Sequence, residues 1–181
     1  MKKTPLFTLL LTIFIDIVGF SIIIPILPVY SKEIGASNIM VGIIAGSYSL
    51  MNFLFSPVWG NISDRIGRKP VILVSLFITA CSYLLFAYSK TISLLLISRI
   101  IAGIGSANYG AAQAYISDIT KPEDRARAFG YVGAAFGLGF IIGPVIGVFI
   151  LKMWNVAAIG YVTMALNLAN MLMAMAILHE T

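Results

Sequence analysis

Six long apolar stretches dominate the chain, and short polar segments separate them. A helix of roughly 20 residues crosses the hydrocarbon core of a bilayer, and each stretch reaches or approaches that length. The stretches lack the apolar–polar alternation of barrel strands, and lipid otherwise admits only helices. The pattern predicts an all-α membrane protein, with residues 1–181 forming one bundle of six transmembrane spans. We number the spans in chain order: 6–30, 39–59, 71–88, 92–117, 128–151 and 156–178.

The composition agrees with a lipid environment. The chain is 60% hydrophobic and only 10% charged, whereas soluble domains carry about 25% charged residues. The net charge of +5 raises the question of nucleic acid. The charges lie in short segments between apolar runs, however, which favours the lipid bilayer as partner and no nucleic acid.

Lysine and arginine predict the orientation of the spans. One side of the membrane has only Lys32, Lys90 and Lys152. The other side collects the remaining bases of the connecting segments: Lys2, Lys3, Arg65, Arg68, Lys69, Lys121, Arg125 and Arg127. The more basic side stays in the cytoplasm. With six spans, both termini are therefore expected in the cytoplasm, and residues 60–70 are expected to form a cytoplasmic loop.

Asp16 and Arg99 are the only charges well inside the predicted spans. Asp16 lies about 15 Å from the cytoplasmic face and Arg99 about 10 Å from the outer face, at 1.5 Å per helical residue. Their depths differ by only about 5 Å in a core of about 30 Å, so their side chains can meet if spans 1 and 4 are neighbours. Intramembrane charges mark functional sites by default. We expect proton coupling at Asp16. For Arg99, a static ion pair and a role in tuning Asp16 are equally open.

Polar residues follow the faces of three spans. Arg99, Ser106 and Gln113 recur every seven residues in span 4, while Asn108 points elsewhere. Span 2 carries Asn52 in a similar polar row. Interhelical hydrogen bonds are one interpretation. A water-filled path lined by spans 1, 2 and 4 is the sharper one, with Asn52, Ser106 and Gln113 as lining candidates.

Span 6 has a polar row of its own, formed by Thr163, Asn167 and Asn170. Here we favour plain hydrogen bonding between helices.

Span 5 is rich in glycine at four-residue spacing, and Pro144 lies within it. Small residues at this spacing let helix backbones approach closely, and proline tends to kink a helix. A packing face is the simple interpretation, and a bend at a moving interface is the alternative. The glycines form two rows: Gly133 with Gly137, and Gly139 with Gly143 and Gly147.

The segment "GNISDRIGRKP" resembles the signature G-x-x-x-D-R-x-G-R-K/R of the major facilitator superfamily. Three further segments resemble other signatures of that family: "FIDIVGFSIIIPILP", "ISRIIAGIGSANYGAAQAYISD" and "GAAFGLGFIIGPVIG". Together they span roughly residues 13–181, and the chain is most similar to the tetracycline and multidrug proton antiporters. The first segment matches at Gly60, Asp64, Arg65, Gly67, Arg68 and Lys69.

The resemblance implies the N-terminal half of a fold built from inverted three-helix repeats. It implies alternating access and export of small, mostly hydrophobic drugs, driven by a proton gradient without a cofactor. It also implies a location in the inner or plasma membrane of a bacterium. Asp64 would latch onto a helix of a second half, and Arg68 would pair with Asp118. The family's bend in span 5, facing that half, would involve Gly139, Gly143, Pro144 and Gly147.

Two departures from the family keep alternatives open. Ser82 stands where the tetracycline exporters carry an aspartate, and the chain has six spans where the family has twelve. A missing half or a homodimer would complete the transporter. The alternatives are a non-transporting remnant or assembly subunit, and a sugar or metabolite transporter. One histidine and one cysteine offer no metal cluster or catalytic triad, so an enzyme is not expected.

Overall fold

The computed structural model describes residues 3–178 and residue 180, with side chains from residue 6 onward. This part of the chain contains no strand. Its α-helices are α1 (Lys3–Ile23), α2 (Ile26–Glu33), α3 (Asn38–Ile66), α4 (Arg68–Ala87), α5 (Ile92–Gly105), α6 (Tyr109–Ile119), α7 (Arg125–Met153) and α8 (Val156–Ile177).

These helices form six segments that are long and apolar enough to cross a membrane. Span 1 comprises α1 and α2, and span 4 comprises α5 and α6. The other four spans are the single helices α3, α4, α7 and α8. The predicted fold class is therefore confirmed. Of the bases used for the orientation, Lys2 lies outside the described residues.

The prediction that residues 60–70 form a loop is wrong, while their cytoplasmic location stays a prediction. Helix α3 continues to Ile66 and α4 begins at Arg68, so Gly67 alone separates them. Hydropathy marks where a helix leaves the lipid, not where it ends, and residues 60–66 contain no proline to stop it. Gly67 has φ 100°, a conformation that side chains disfavour. This segment is a helical projection with a one-residue turn.

Two spans are interrupted inside the bundle. Span 1 breaks at a turn before Ile26, where Pro25 removes a backbone donor. Span 4 breaks at a 3₁₀ turn, Ser106–Asn108. Non-helical backbone within a membrane protein is tolerated where it lies in protein or lines a cavity. The second break is therefore a candidate position for a site.

Three helices that start on the predicted outer side carry side-chain caps. Ser37, Thr91 and Asn155 accept hydrogen bonds from the third backbone N–H of α3, α5 and α8, at 3.2, 3.3 and 2.9 Å. Such caps satisfy backbone donors that a helix start leaves unpaired.

Helix α4 packs on α5, and α1 packs on α8. Three further close pairs are α1 with α7, α3 with α5, and α4 with α8. In terms of spans, these pairs are 1 with 5, 2 with 4, and 3 with 6. If spans 1, 2 and 3 are exchanged for spans 4, 5 and 6, the pair of spans 1 and 5 becomes the pair of spans 4 and 2. The pair of spans 3 and 6 stays the same. This is the contact pattern of two related three-helix repeats.

Helix α3 lies at the edge of the bundle. Only Ile44 and Ser63 are buried along its length, and Phe53 is 76% exposed. The far side of α7 is also open, with Ile141 and Val145 each 68% exposed. These two helices present the largest uncovered apolar faces near the cavity described next.

Candidate functional site

A cavity of about 240 Å³ lies between α1, α3, α6, α7 and the 3₁₀ turn of span 4. Its walls mix apolar, aromatic and polar groups, which is the usual character of a small-molecule site. The described residues that line it are Ile13, Asp16, Ile17, Phe20, Tyr48, Asn52, Ser106, Asn108, Tyr109, Ala112, Phe136 and Phe140.

Asp16 is the one charged residue among those lining the cavity. Its Oδ1 accepts a hydrogen bond from Asn167 Nδ2 at 3.1 Å. Asn167 belongs to α8, which packs against the side of α1 away from the cavity. The carboxyl group of Asp16 thus lies between an open space and a buried helix contact.

Aromatic rings form two groups along the cavity wall. Phe20 stacks on Tyr48 with ring centroids 4.5 Å apart, and Phe140 meets Phe20 edge-on at 6.1 Å. Tyr109 and Phe136 form an edge-on pair at 5.1 Å. Such pairs offer apolar faces and ring edges of opposite partial charge. The wall therefore suits a flat, largely apolar molecule.

The 3₁₀ turn places two polar side chains, those of Ser106 and Asn108, at the cavity. Asn108 donates to Ser75 of α4. Trp59 Nε1 donates to the carbonyl of Ile104 at 2.7 Å, just before the break. These bonds hold the interrupted helix against α3 and α4.

Two of the three residues predicted to line a cavity do so, and the third does not. Asn52 and Ser106 line the cavity, and Gln113 does not. Asn108, which was expected on another face, does line it. A 3₁₀ turn has 3.0 residues per turn instead of 3.6, so residues after Ser106 are rotated away from the regular helical phase. The seven-residue spacing therefore fails to carry Gln113 to the same side.

Arg99 is enclosed within the bundle at 2% exposure and does not line the cavity. Its guanidinium group lies over the ring of Phe86 at 5.1 Å, and its Nε is 3.4 Å from Ser98 Oγ. Its Nη2 has no hydrogen-bond partner among the described residues. No ion pair with Asp16 forms in this part of the chain. Similar depth did not bring the two together, because α5 packs on α3 and α4 instead of α1.

The turn between α3 and α4 is organised by Arg68. Its guanidinium group binds Asp64, donates to Ser63 Oγ at 2.8 Å, and reaches Asp118 Oδ2 at 3.3 Å. The pairing of Arg68 with Asp118 that the resemblance implied is present. Arg68 thereby ties the end of α3 to the end of α6.

The other residues of the signature surround this turn. Lys69 Nζ donates to the carbonyl of Met175 near the end of α8, at 2.8 Å. Arg65 is exposed on α3. Gly60 has open space where a Cβ would point. A partner can therefore approach the backbone of α3 at Gly60.

The glycines proposed to face a second half pack within this half instead. Cβ atoms at Gly139, Gly143 and Gly147 would meet Ile17, Ser21 and Ile22 of α1. The helix α7 continues unbroken past Pro144, which is partly buried. The expected contact of this row with another half is therefore wrong.

The second glycine row of α7 is the open one. A Cβ at Gly133 or Gly137 would meet no atom within 4 Å. Sequence spacing identified both rows but carries no information on which one is buried.

Sequence reasoning missed Asn167 as a partner of Asp16, and it missed the aromatic wall. The polar row of span 6 was the available signal for Asn167, and its interhelical bond is confirmed at 3.1 Å. Ser82, at the departure from the tetracycline exporters, is buried and donates to Thr79 O of its own helix at 2.6 Å. Within the described residues, no group of three His, Cys, Asp or Glu side chains is placed to hold a metal.

Comparison with known proteins identifies the family. The family profile described as Major Facilitator Superfamily matches residues 9–181. The tetracycline resistance protein, class E, of Escherichia coli is 39% identical over 184 aligned positions, covering 100% of this chain and 45% of that protein. The quinolone resistance protein NorA of Staphylococcus aureus is 30% identical over 176, covering 97% of this chain and 45% of that protein.

A solved structure shares the fold. The crystal structure of the human organic anion transporter MFSD10 (TETRAN) superposes with a TM-score of 0.84 at 25% identity, covering 98% of this chain and 48% of that one. The chain thus spans about half the length of the proteins it matches. With six apolar spans and these relatives, it is an integral membrane protein. The chain belongs to the major facilitator superfamily.

Proposed function

We propose that the chain is one half of a proton-coupled exporter of small, mostly hydrophobic compounds. The observation that carries this proposal is the cavity with Asp16 as its one charged lining residue. A carboxyl group halfway along a span can take up and release a proton, and the same cavity offers aromatic surface to a drug-sized molecule. Competition for one site would couple proton entry to substrate exit.

The relatives support the direction of transport and the class of compound. One is named for tetracycline resistance and one for quinolone resistance, and resistance is the result expected of export. The two names cover different drugs, and Ser82 departs from the tetracycline pattern. We therefore assign a class of compounds to this chain and no single drug.

A second six-helix half is the partner that the proposal requires. The open glycine row at Gly133 and Gly137 lies on α7, and the other uncovered side belongs to α3; both helices also line the cavity. A half that covers these faces would close the cavity laterally and bury Phe53 and Ile141. Asp64 and Gly60 would then latch onto the start of a helix in that half on the cytoplasmic side, where the helix dipole favours an acidic side chain.

Transport in everted membrane vesicles tests the proposal. The chain is expressed alone and with the second half of the class E relative, and drug-dependent proton movement is followed with a pH-sensitive dye. We expect movement when the second half is present. No proton movement in either preparation, with both halves inserted, would overturn the exporter proposal in favour of a non-transporting subunit.

The variant Asp16→Asn identifies the proton site. It keeps the shape of the side chain and a donor and acceptor for Asn167, but it cannot ionise. We expect insertion at the parental level and loss of proton movement. If Asp16→Asn moves protons as the parent does, another group carries the proton.

A further inference from the structure

The contact between α1 and α8 contains an unusual set of polar atoms next to Asp16. Three of the five buried side-chain polar atoms found without a partner in the described residues lie here: Thr12 Oγ1, Asn167 Oδ1 and Asn170 Oδ1. We call Thr12, Asp16, Asn167 and Asn170 the α1–α8 seam. Buried polar atoms without partners cost stability. Their concentration beside one carboxyl group calls for a functional reason.

Asn167 and Asn170 make the two side-chain hydrogen bonds of the seam. Asn167 Nδ2 donates to Asp16 Oδ1 at 3.1 Å, and Asn170 Nδ2 donates to the backbone carbonyl of Thr12 at 3.0 Å. Both asparagines are 1% exposed, and the carbonyl oxygen of each has no partner. They differ only in what they bind: a titratable group or a fixed backbone carbonyl.

A carboxyl group needs different partners in its two protonation states. The charged form only accepts hydrogen bonds, whereas the neutral form also has one O–H to donate. An amide carries both a donor and an acceptor. Turning the Asn167 side chain over brings Oδ1, now without a partner, to the place of Nδ2. The same residue then accepts from the neutral acid.

We propose that Asn167 is the positioning residue of the proton site, and that its amide turns over to pair with both forms of Asp16. On uptake, a proton passes from a hydronium ion in the cavity to a carboxylate oxygen, leaving water and a neutral carboxyl group. On release, the O–H bond breaks and the proton returns to water. Asn167 neither gains nor loses a proton. The inference rests on the proposed role of Asp16 as the proton site.

The surroundings leave Asn167 as the group best placed for this role. The titratable groups that face Asp16 are Tyr48 of α3 and Tyr83 of α4, and both also face Arg99 of α5. Tyr109 lines the same cavity from α6. From α7 the lining residues are Phe136 and Phe140, which have no polar atom. Among the described residues, Asn167 alone makes a hydrogen bond to the carboxylate, at 3.1 Å.

Infrared spectroscopy of the purified chain in lipid tests the proposal without requiring transport. The carbonyl band of protonated Asp16 is identified by its loss in Asp16→Asn, which is practical because the chain has only seven acidic residues. The band is then titrated in the parent and in Asn167→Leu, where the side chain keeps a similar size without hydrogen bonding. We expect its midpoint to be displaced by about one pH unit, because the hydrogen bond that the charged carboxylate loses is stronger than the one that the neutral acid loses.

Asn170→Leu is the matched control, because it removes an equally buried amide from the same helix. We expect its midpoint to equal that of the parent, whatever happens to thermal stability. Asn167→Gln, which restores an amide, should return the midpoint towards the parent. If Asn167→Leu does not fold, Asn167→Ala takes its place in the titration.

Three outcomes would overturn the inference: a parental midpoint in Asn167→Leu or its substitute, an equal displacement in Asn170→Leu, or no titration of Asp16 in the parent. The proposed function fails separately, when neither vesicle preparation of the parent chain shows drug-dependent proton movement. A displaced midpoint together with unaffected proton movement in Asp16→Asn would retain Asn167 as the partner of Asp16 and remove the exporter role of that carboxyl group.

Discussion

Asp16 and Arg99 are both charged residues in the middle of apolar spans, but their surroundings differ. Asp16 borders a cavity and holds a hydrogen bond to Asn167. Arg99 is enclosed, lies over an aromatic ring, and keeps one nitrogen without a partner. Charge in a membrane span is costly in both places. Asp16 has open space beside its charge and Arg99 does not, and a guanidinium group, unlike a carboxyl group, keeps its proton in proteins. Depth in the membrane therefore does not distinguish the two residues, whereas their surroundings and their chemistry do.

We expect the largest effect on the comparison between Asp16 and Arg99 from a change that displaces α1, the helix that carries Asp16. In Gly143→Leu, the new Cβ would lie 2.9 Å from Ser21 Cβ and 3.0 Å from the carbonyl of Val18. The overpacked α1–α7 contact should lower the free energy of unfolding by about 1–3 kcal/mol. Thermal unfolding of the purified chain in detergent measures the loss.

Gly137→Leu serves as the control, because it adds the same side chain to the open face of the same helix. Its stability in the isolated chain should match the parent. Equal losses in both variants would show that α7 does not pack on α1 through the Gly143 row.

Replacing Arg99 tests the second residue in the comparison with Asp16. Arg99→Met keeps an unbranched chain of similar length and removes a buried charge with an unpartnered nitrogen. Replacement of buried charge by apolar groups is often neutral or stabilising, so the free energy of unfolding should hold or rise by about 1 kcal/mol. Proton movement should fall, if Arg99 acts on Asp16 through Tyr48 and Tyr83.

Arg99→Lys separates charge from shape, because it keeps the charge but loses the flat group over Phe86. Parental proton movement in Arg99→Met combined with a marked loss of stability would identify Arg99 as a static structural lock.

The smallest expected effect comes from a charge outside the lipid. Arg68→Gln removes the contacts with Asp64 and Asp118, which are 62% and 44% exposed. Exposed ion pairs contribute little to stability, so the free energy of unfolding should fall by only about 0.5 kcal/mol. Arg65→Gln, which has no ion pair among the described residues, is the control. A gating role predicts that Arg68→Gln slows transport in the two-half protein far more than it lowers stability, whereas matching losses would favour a purely structural turn.

Much of the fold was predictable because lipid imposes a strong constraint on sequence. Six apolar runs are visible without any knowledge of packing, and the structure places a span at each. Helix ends were less predictable. The run 39–59 ends where charge begins, while α3 itself continues to Ile66, since a helix leaving the lipid finds water an acceptable solvent.

The site was predictable only in part, because spacing gives depth and helix face but not neighbours. Asp16 and Asn52 do line the cavity. The expected meeting of Asp16 with Arg99 depended on which spans pack together, and no pattern within one span contains that information. Gln113 was misplaced for a local reason: the 3₁₀ turn changes the helical phase between Ser106 and Gln113.

The one-residue turn at Gly67 sets the rotational phase between α3 and α4. Each residue of an α-helix turns by about 100°. An insertion of one residue beside Gly67 that extends α4 would therefore swing its buried face, with Tyr83 and Phe86, away from α5 and α8. A flexible loop of ten residues would accommodate the extra residue without rotating α4, but a turn of one residue would not. The length of the charged segment between the two apolar runs therefore determines which face of α4 packs on α5 and α8.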